Sequence, residues 1–160
     1  GICVVCGSTG FSWTPEMYEE IAKQNLKWIK ATNFSLGMNL VKEMINIASK
    51  ASALFSEGAI SYSINEVHHT KKLDAPSGTA LSWSEWLTKD VKITSERIGD
   101  VVGQHELTID TPNEIISIKH DAKDRTVFAA GAIWACRRIQ KLKIGLHDFS
   151  DIALQVIREN

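Results

Sequence analysis

Residues 66–80 read E-V-H-H-T-K-K-L-D-A-P-S-G-T-A, and the fold around them can be inferred outward in both directions. Before this stretch, Ile60, Tyr62 and Ile64 alternate with polar residues, which is typical of a half-buried strand. After it, apolar residues recur at helical spacing from Ala80 to about residue 88. The sequence therefore predicts a strand, a charged loop and a helix.

The start of this predicted helix suits a small anionic ligand. The first amides of a helix have no intrahelical acceptor and lie at the positive end of its dipole. Gly78 allows a ligand to approach the backbone closely, and Ser77 and Thr79 add hydroxyl groups. A carboxylate or phosphate could bind there.

The charged loop allows two interpretations. His68, His69 and Lys72 could supply charge or protons beside a bound anion, because the unperturbed pKa of histidine lies near neutrality. The same segment would also suit an ordinary turn in which Ser77 caps the helix after Pro76. Residue chemistry alone leaves both open.

Composition bounds the class of protein. The chain has 160 residues, 44% of them hydrophobic, and a net charge of -1, which predicts a soluble globular chain without a general nucleic-acid or anionic-membrane surface. No apolar run approaches the roughly 18 residues of a membrane span, and no basic region precedes the first apolar stretch as in a signal peptide. These features favour a cytoplasmic location.

The cysteines do not indicate a metal or redox site. Cys3 and Cys6 form a C-x-x-C motif, but they lie in the apolar segment I-C-V-V-C, where an offset of three residues points their side chains to opposite faces of a strand. With Cys136 the count is odd, which gives no disulfide framework. His105 and His120 lie on predicted strands without metal-ligand spacing, so no metal site is expected.

The N-terminal part predicts a strand, a glycine loop, a helix and a strand. A strand over residues 2–6 leads into G-S-T-G, and Thr14 followed by Pro15 is a good helix start. We expect that helix to run to about Lys27 and a short strand to follow from Trp28 to Ala31. Loops at strand ends bind ligands in open α/β sheets, although a lone G-x-x-G is also compatible with a simple tight turn.

The remaining segments complete an α+β pattern. A long helix is predicted from about residue 36, with an apolar face listed as Leu36, Leu40, Met44, Ile47, Ala48 and Ala51, and with Glu57 and Gly58 closing it. Strands are expected at 93–98, 104–110 and 114–121, the last two forming a hairpin. A helix over 125–141 with the stripe Val127, Phe128, Ala132, Ala135 and Cys136, and a short helix capped by Ser150, end the chain. Helices on one face of a mostly antiparallel sheet, with the other face in an oligomer interface, fit this order.

Six stretches together resemble the 4-hydroxy-tetrahydrodipicolinate reductase family, also called dihydrodipicolinate reductase. They are G-S-T-G-F at 7–11, A-T-N-F-S at 31–35, the stretch at 66–80, G-Q-H-E at 103–106, F-A-A-G-A at 128–132 and G-L-H-D-F-S-D-I at 145–152. The resemblance covers essentially the whole chain, and the stretch at 66–80 is long and specific.

The resemblance implies roles for individual residues. His68 would be the general acid/base, Lys72 the proton donor, and His69 a substrate contact, while Ser77, Gly78 and Thr79 would hold a substrate carboxylate. Residues lining the nicotinamide side of the cofactor would be Gly7, Ser8, Thr9, Ala31, Thr32, Asn33 and Phe34. Ser8 stands where the family has threonine and keeps the hydroxyl, and Arg125 matches a basic position near the family's site.

The resemblance also implies an activity and an architecture. The expected reaction is reduction of a small cyclic dicarboxylate by NADPH or NADH in lysine and diaminopimelate biosynthesis, in a homotetramer. The expected fold is an α/β remnant of a Rossmann-type dinucleotide-binding domain, followed by an α+β substrate and oligomerisation domain with a mixed, mostly antiparallel sheet. Residues 1–33 would end the dinucleotide domain, 34–140 would form the substrate domain, and 141–160 would return to the first.

One departure from the family is expected. Its glycine-rich phosphate-binding turn and the residue that selects NAD or NADP would lie before Gly1, which leaves catalysis by these residues alone in question. The alternative is a non-catalytic module for oligomerisation or dicarboxylate binding.

Overall fold

The computed structural model describes residues 1–8, 12–55 and 59–159. In chain order its elements are β1 (Val4–Cys6), α1 (Pro15–Lys23), β2 (Lys27–Lys30), α2 (Leu36–Ala51), β3 (Ser61–His68), α3 (Gly78–Leu87), β4 (Lys92–Arg97), β5 (Gln104–Asp110), β6 (Ile115–Asp121), α4 (Thr126–Arg138), β7 (Gly145–Asp148) and α5 (Phe149–Glu159). The chain divides into two compact units, residues 1–39 with 126–160 and residues 40–125, and each is described by itself.

The first unit contains a parallel three-stranded sheet in the order β1-β2-β7. Strand β7 was not predicted, because no strand was expected between the helix over 125–141 and the final short helix. Helix α1 ends at Lys23, four residues before the predicted end, because Asn25 adopts a positive φ of 56° and β2 begins at Lys27. Because β7 runs directly into α5 at Phe149, Ser150 lies inside that helix and its predicted role as N-cap is wrong.

The core of this unit lies where α4 and α5 supply apolar side chains to the sheet. Its buried members are Ile29, Phe34, Ala135, Ile139, Phe149 and Ile152. A Cβ on Gly131 would lie 1.7 Å from the backbone carbonyl oxygen of Phe34, so only glycine allows this approach. The buried face of α4 therefore runs through Gly131 and Ala135, and the predicted stripe is wrong at Phe128 and Cys136, which are exposed.

The second unit contains a mixed four-stranded sheet in the order β4-β3-β5-β6. Strand β3 pairs with β4 in parallel and with β5 antiparallel, and β5 and β6 form the predicted hairpin. The mixed, mostly antiparallel sheet of the sequence analysis is therefore confirmed. Ile64 on β3, Leu107 on β5 and Trp83 on α3 are fully buried and form the centre of the apolar interior.

Helix α2 has the predicted position but the opposite buried face. Met38, Val41 and Ile45 are buried, whereas three members of the predicted stripe, Leu40, Met44 and Ile47, are exposed by 51%, 42% and 64%. The helix is apolar on both faces, so periodicity could not decide which face enters the core. Its predicted closing residues, Glu57 and Gly58, lie outside the described residues. In the described part of the chain, no helix combines the length and apolar character needed to cross a bilayer.

Candidate active site

A carboxylate and an imidazole share the buried face of β3. Burial alternates along this strand, so that Ile64, Glu66 and His68 all point inward. Glu66 is fully buried and His68 is 8% exposed. The last residues of β3 therefore carry two ionisable groups from the apolar interior to the start of the loop at 69–77.

Glu66 is a buried carboxylate surrounded by donors. Its Oε2 forms an ion pair with Nδ1 of His68, while its Oε1 accepts hydrogen bonds from Nη2 of Arg97 at 3.1 Å and from the amide of Ser77 at 3.3 Å. Burial would raise the pKa of Glu66, but the Ser95 hydroxyl, Arg97 and His68 outweigh it and leave that pKa below its usual value. Glu66 is therefore ionised at neutral pH.

His68 is a buried imidazole whose pKa lies below its usual value. Burial lowers its pKa, and the charges of Lys72 and Arg97 lower it further, whereas Glu66 opposes the shift. The His105 ring meets the His68 ring edge-on, with centroids 5.0 Å apart. Burial lowers the pKa of His105 to about 4, so that this second imidazole is neutral near pH 7.

The start of α3 carries amide groups available to a ligand. The Ser77 hydroxyl accepts from the Ala80 amide at 3.2 Å, which confirms the predicted N-cap, and lies 3.1 Å from Nε2 of His105. Within residues 1–8, 12–55 and 59–159, the amides of Gly78 and Thr79 have no protein acceptor. Gly78 is exposed, and the space that a Cβ would fill there is open.

The loop before α3 contains two more residues with predicted roles, His69 and Lys72. Nζ of Lys72 donates to both carboxylate oxygens of Asp74, at 2.7 and 2.8 Å, and this pairing lowers the pKa of Asp74. His69 is half-buried, and its Nδ1 is buried without a partner in the described residues. Arg125, which matches a basic position near the family's site, is exposed.

The predicted cofactor residues of the first unit gather at one edge of its sheet. Gly7 and Ser8 follow β1, and Ala31 and Thr32 follow β2, at the carboxyl ends of two adjacent parallel strands. The Ala31 amide donates to the Cys6 carbonyl at 3.0 Å, which fixes the two loops side by side. Thr9, which was assigned to the same group, lies outside the described residues.

Two predicted cofactor residues also have structural partners. The Phe34 side chain is buried against Phe149, with ring centroids 4.9 Å apart, so any ligand contact from this residue would come from its backbone. The Asn33 side chain accepts from the Ser35 amide at 2.8 Å, and Ser35 in turn caps α2 by accepting from the Met38 amide at 3.2 Å. Asn33 thus shapes the loop after β2.

Three residues of the site, Glu66, Arg97 and His105, had no predicted role. Glu66 could have been found from its position two residues before His68, since alternating strand positions share a face. Arg97 could not, because its position opposite His68 depends on the parallel register of β3 and β4. His105 was identified as a strand histidine, but its contact with Ser77 depends on the packing of α3.

Glu66, His68 and His105 are also residue types that can bind a metal, and their ligand-type atoms lie within 4.8 Å of one another. However, Arg97 places a cation on Glu66, and His105 is hydrogen-bonded to Ser77. A guanidinium group on the same carboxylate opposes a divalent cation by charge repulsion. The cluster therefore fits a hydrogen-bonded array better than a metal centre.

A sequence profile described as "Dihydrodipicolinate reductase, C-terminus" matches residues 37–153, most of the chain. The chain belongs to the dihydrodipicolinate reductase family. Its relatives include the 4-hydroxy-tetrahydrodipicolinate reductases of Thermosipho africanus (34% identical over 93% of this chain) and Stenotrophomonas maltophilia (35% over 95%).

A solved dihydrodipicolinate reductase supports the same family at the level of structure. The dipicolinate-bound enzyme from Paenisporosarcina sp. TG-14 matches 94% of this chain with a TM-score of 0.73 and 25% identity. The chain spans 66% and 63% of the two reductases named above and 64% of the solved structure, which is slightly less than two thirds of each.

Proposed function

We propose that this chain is the substrate-binding and proton-transfer part of a reductase that converts 4-hydroxy-tetrahydrodipicolinate to tetrahydrodipicolinate with NADPH or NADH, in lysine and diaminopimelate biosynthesis. The observation that carries this proposal is the buried Glu66–His68 pair close to a helix start where two amides have no acceptor among the described residues. Membership of the dihydrodipicolinate reductase family supports the reaction, and the dipicolinate-bound relative supports a cyclic dicarboxylate ligand.

The start of α3 is the proposed carboxylate site. The amides of Gly78 and Thr79 can donate to one carboxylate, and the helix dipole adds a favourable potential. The Ser77 hydroxyl is buried and already engaged, so it supports the geometry of this helix start while its neighbours contact the ligand. His69, with a buried ring nitrogen that lacks a partner in the described residues, is proposed to contact the substrate.

Lys72 and His68 are the proposed proton sources. Reduction adds a hydride to ring C4 as the C4 hydroxyl leaves as water, and one proton from the protein balances the reaction. Lys72 Nζ is held by Asp74 close to the end of β3, and His68 can return to its starting state by exchanging a proton through its second ring nitrogen.

The cofactor is proposed to bind the first unit. The loops after β1 and β2 fit a nicotinamide because their backbones lie side by side at the carboxyl edge of a parallel sheet, the usual ligand edge of such sheets. The proposed contacts are Gly7, Ser8, Thr9, Ala31, Thr32, Asn33 and Phe34. When bound, NADPH or NADH would supply the hydride.

The domain assignment is likewise a proposal. The parallel β1-β2-β7 sheet supports a remnant of a Rossmann-type domain formed by residues 1–33 and rejoined by 141–160, with residues 34–140 as the substrate domain. Reduced nicotinamide chemistry in amino-acid biosynthesis also fits a cytoplasmic location.

A homotetramer is proposed from the uncovered apolar surface. Met44 and Ile47 on α2 and Ile116 on β6 are exposed, and all three line one cavity. Apolar side chains grouped in this way are typical of subunit contacts. Light scattering coupled to gel filtration tests this, and a monomer at micromolar concentration would contradict it.

The activity is tested by following substrate-dependent NADPH and NADH oxidation. The samples are this chain and a chimera in which the N-terminal third of the Thermosipho africanus reductase precedes residue 1. We expect turnover in the chimera and a loss of at least about 100-fold in its His68→Gln variant. An inactive, folded chimera would contradict the reductase, and binding of pyridine-2,6-dicarboxylate without turnover would support the non-catalytic alternative.

A further inference from the structure

Glu66 has no role in the proposed chemistry, yet it is a fully buried charge at the centre of the site. Besides His68, two groups hydrogen-bond to its carboxylate, the Arg97 guanidinium and the Ser77 amide, and the Ser95 hydroxyl helps to lower its pKa. A buried carboxylate costs several kcal/mol in desolvation unless it is paired and hydrogen-bonded. This degree of pairing means that Glu66 has one fixed position from which it can orient a neighbour.

The neighbour that Glu66 orients is His68. Its Nδ1 contacts Oε2 of Glu66, and neither atom has another hydrogen-bond partner within the described residues. A carboxylate accepts only from a protonated ring nitrogen, which fixes the neutral ring with its proton on Nδ1. Proton exchange is then left to Nε2. A Cβ on Gly103 would lie 3.1 Å from that Nε2, so the missing side chain leaves room beside the exchanging atom.

Arg97 extends this arrangement to the loop that carries Lys72. Besides Oε1 of Glu66, its guanidinium donates to the Asp74 carbonyl at 2.7 Å and to the Lys72 carbonyl at 3.4 Å. These contacts join the end of β4 to both ends of the Lys72–Asp74 segment. The guanidinium group donates from more than one nitrogen to these three acceptors, whereas a lysine at this position would have a single nitrogen for all of them.

We propose that Glu66 and Arg97 form a positioning pair, in which Glu66 holds His68 with Nε2 towards the space beside Gly103 and Arg97 fixes the backbone of the Lys72–Asp74 segment. His68 and Lys72, the two residues proposed to transfer protons, are thereby both positioned by the Glu66–Arg97 pair. This inference rests on the proposed function, because it assigns the pair to the reaction of His68 and Lys72.

Four charged or titratable groups act on His68 and enter any test by pH. Glu66 favours its protonated form, Arg97 and Lys72 disfavour it, and His105 faces it across the ring contact. Removing the carboxylate takes away the attractive charge and leaves the two cations. The protonated ring must then become less stable, and His68 must titrate at lower pH.

The first experiment is NMR of the unmodified 160-residue chain. Long-range ¹H–¹⁵N correlation at a pH above the titration of His68 gives the position of the ring proton, with the signal assigned by loss in His68→Gln. We expect a protonated Nδ1 and an unprotonated Nε2. The opposite tautomer would overturn the proposal, and this measurement needs no variant of Glu66 to fold.

The second experiment compares Glu66→Gln with the control Glu106→Gln. Glu106 lies between the inward-facing His105 and Leu107 of β5, so its side chain is on the opposite face of the sheet. We expect the His68 titration to move to lower pH by about 1 unit or more in Glu66→Gln, and to stay nearly unchanged in Glu106→Gln. Equal titration in the two variants would overturn the pairing of Glu66 with His68.

The third experiment tests Arg97 by Arg97→Lys. We expect faster amide hydrogen exchange at residues 70–74 with unchanged exchange in the β5–β6 hairpin. Unchanged exchange at 70–74 would show that Arg97 does not fix the loop. As a further check, equimolar Zn²⁺ is added to the unmodified chain and to Glu66→Gln. If Zn²⁺ shifts the NMR signals of both His68 and His105 in the unmodified chain but not in Glu66→Gln, the cluster is a cation site and the proposal is overturned.

Turnover of the chimera separates this inference from the proposed function. In Glu66→Gln we expect kcat to fall at least about 10-fold with little change in KM, and the pH limb that follows His68 to move to lower pH. An active chimera in which Glu66→Gln alters neither quantity would refute the positioning role alone. If the NMR results hold but the unmodified chimera has no activity, the proposed function fails and the Glu66–His68 contact stands.

Discussion

The Lys72→Ala substitution separates catalysis from stability at the centre of the proposed site. Lys72 Nζ lies 2.7 Å from Oδ1 of Asp74, but the Asp74 side chain is 60% exposed. Exposed ion pairs of this kind contribute about 0.2–1 kcal/mol to the free energy of unfolding, because water and salt screen them. Removing Lys72 should therefore lower the melting temperature by only a few degrees.

The expected effect on turnover is much larger. A general acid contributes about 100- to 10,000-fold, so kcat of the Lys72→Ala chimera should fall within that range. The control is Lys71→Ala, which removes the same charge from the adjacent exposed residue and should leave kcat nearly unchanged. NADPH oxidation and thermal denaturation are measured on the same samples. A severe loss of melting temperature in Lys72→Ala, or equal turnover in the two variants, would refute the assignment of Lys72 as proton donor.

Three further substitutions test the structure around the two proposed sites. Gly131→Ala should destabilise the chain by about 3 kcal/mol or more in urea unfolding, because its Cβ would lie 1.7 Å from the Phe34 carbonyl oxygen; an unchanged midpoint would contradict that packing. Gly103→Ala should lower kcat/KM about 10-fold with a stability loss near 1 kcal/mol, because its Cβ would lie 3.1 Å from Nε2 of His68; unaltered kinetics would place the reacting space elsewhere. Burial lowers the pKa of His105 from 6.5 to about 4, so the free energy of unfolding should fall by up to about 3 kcal/mol as pH is lowered from 6.5 towards 4. His105→Asn should make the free energy of unfolding less dependent on pH in this range. An equal pH dependence in the variant would contradict this reasoning.

Local sequence patterns predicted the strands of the second unit well. Alternation of apolar and polar residues located β3 and the β5–β6 hairpin, because one face of that sheet is buried and the other is not. The Ser77 cap was predicted for a similar reason, since it depends on residues adjacent in sequence. Where one face is clearly apolar or one turn supplies the contacts, the sequence is sufficient.

Features that depend on tertiary packing were not predicted. The buried face of α2 was reversed because both of its faces are apolar, and β7 was missed because its four residues are too few to show a period. In the candidate site, Arg97 reaches Glu66 only through the parallel register of two strands. The residues proposed to contact the substrate were identified from the sequence motif, whereas the residues that hold them in place were identified only from the fold.

The central claim, that the helix start of α3 binds a dicarboxylate next to His68, is tested most directly by an NMR titration. Pyridine-2,6-dicarboxylate is added to the ¹⁵N-labelled 160-residue chain, and amide shifts are followed residue by residue. We predict the largest saturable shifts at Gly78 and Thr79, together with a shift of the His68 ring signals. Saturable shifts confined to other residues, or no shifts at millimolar ligand, would contradict the account.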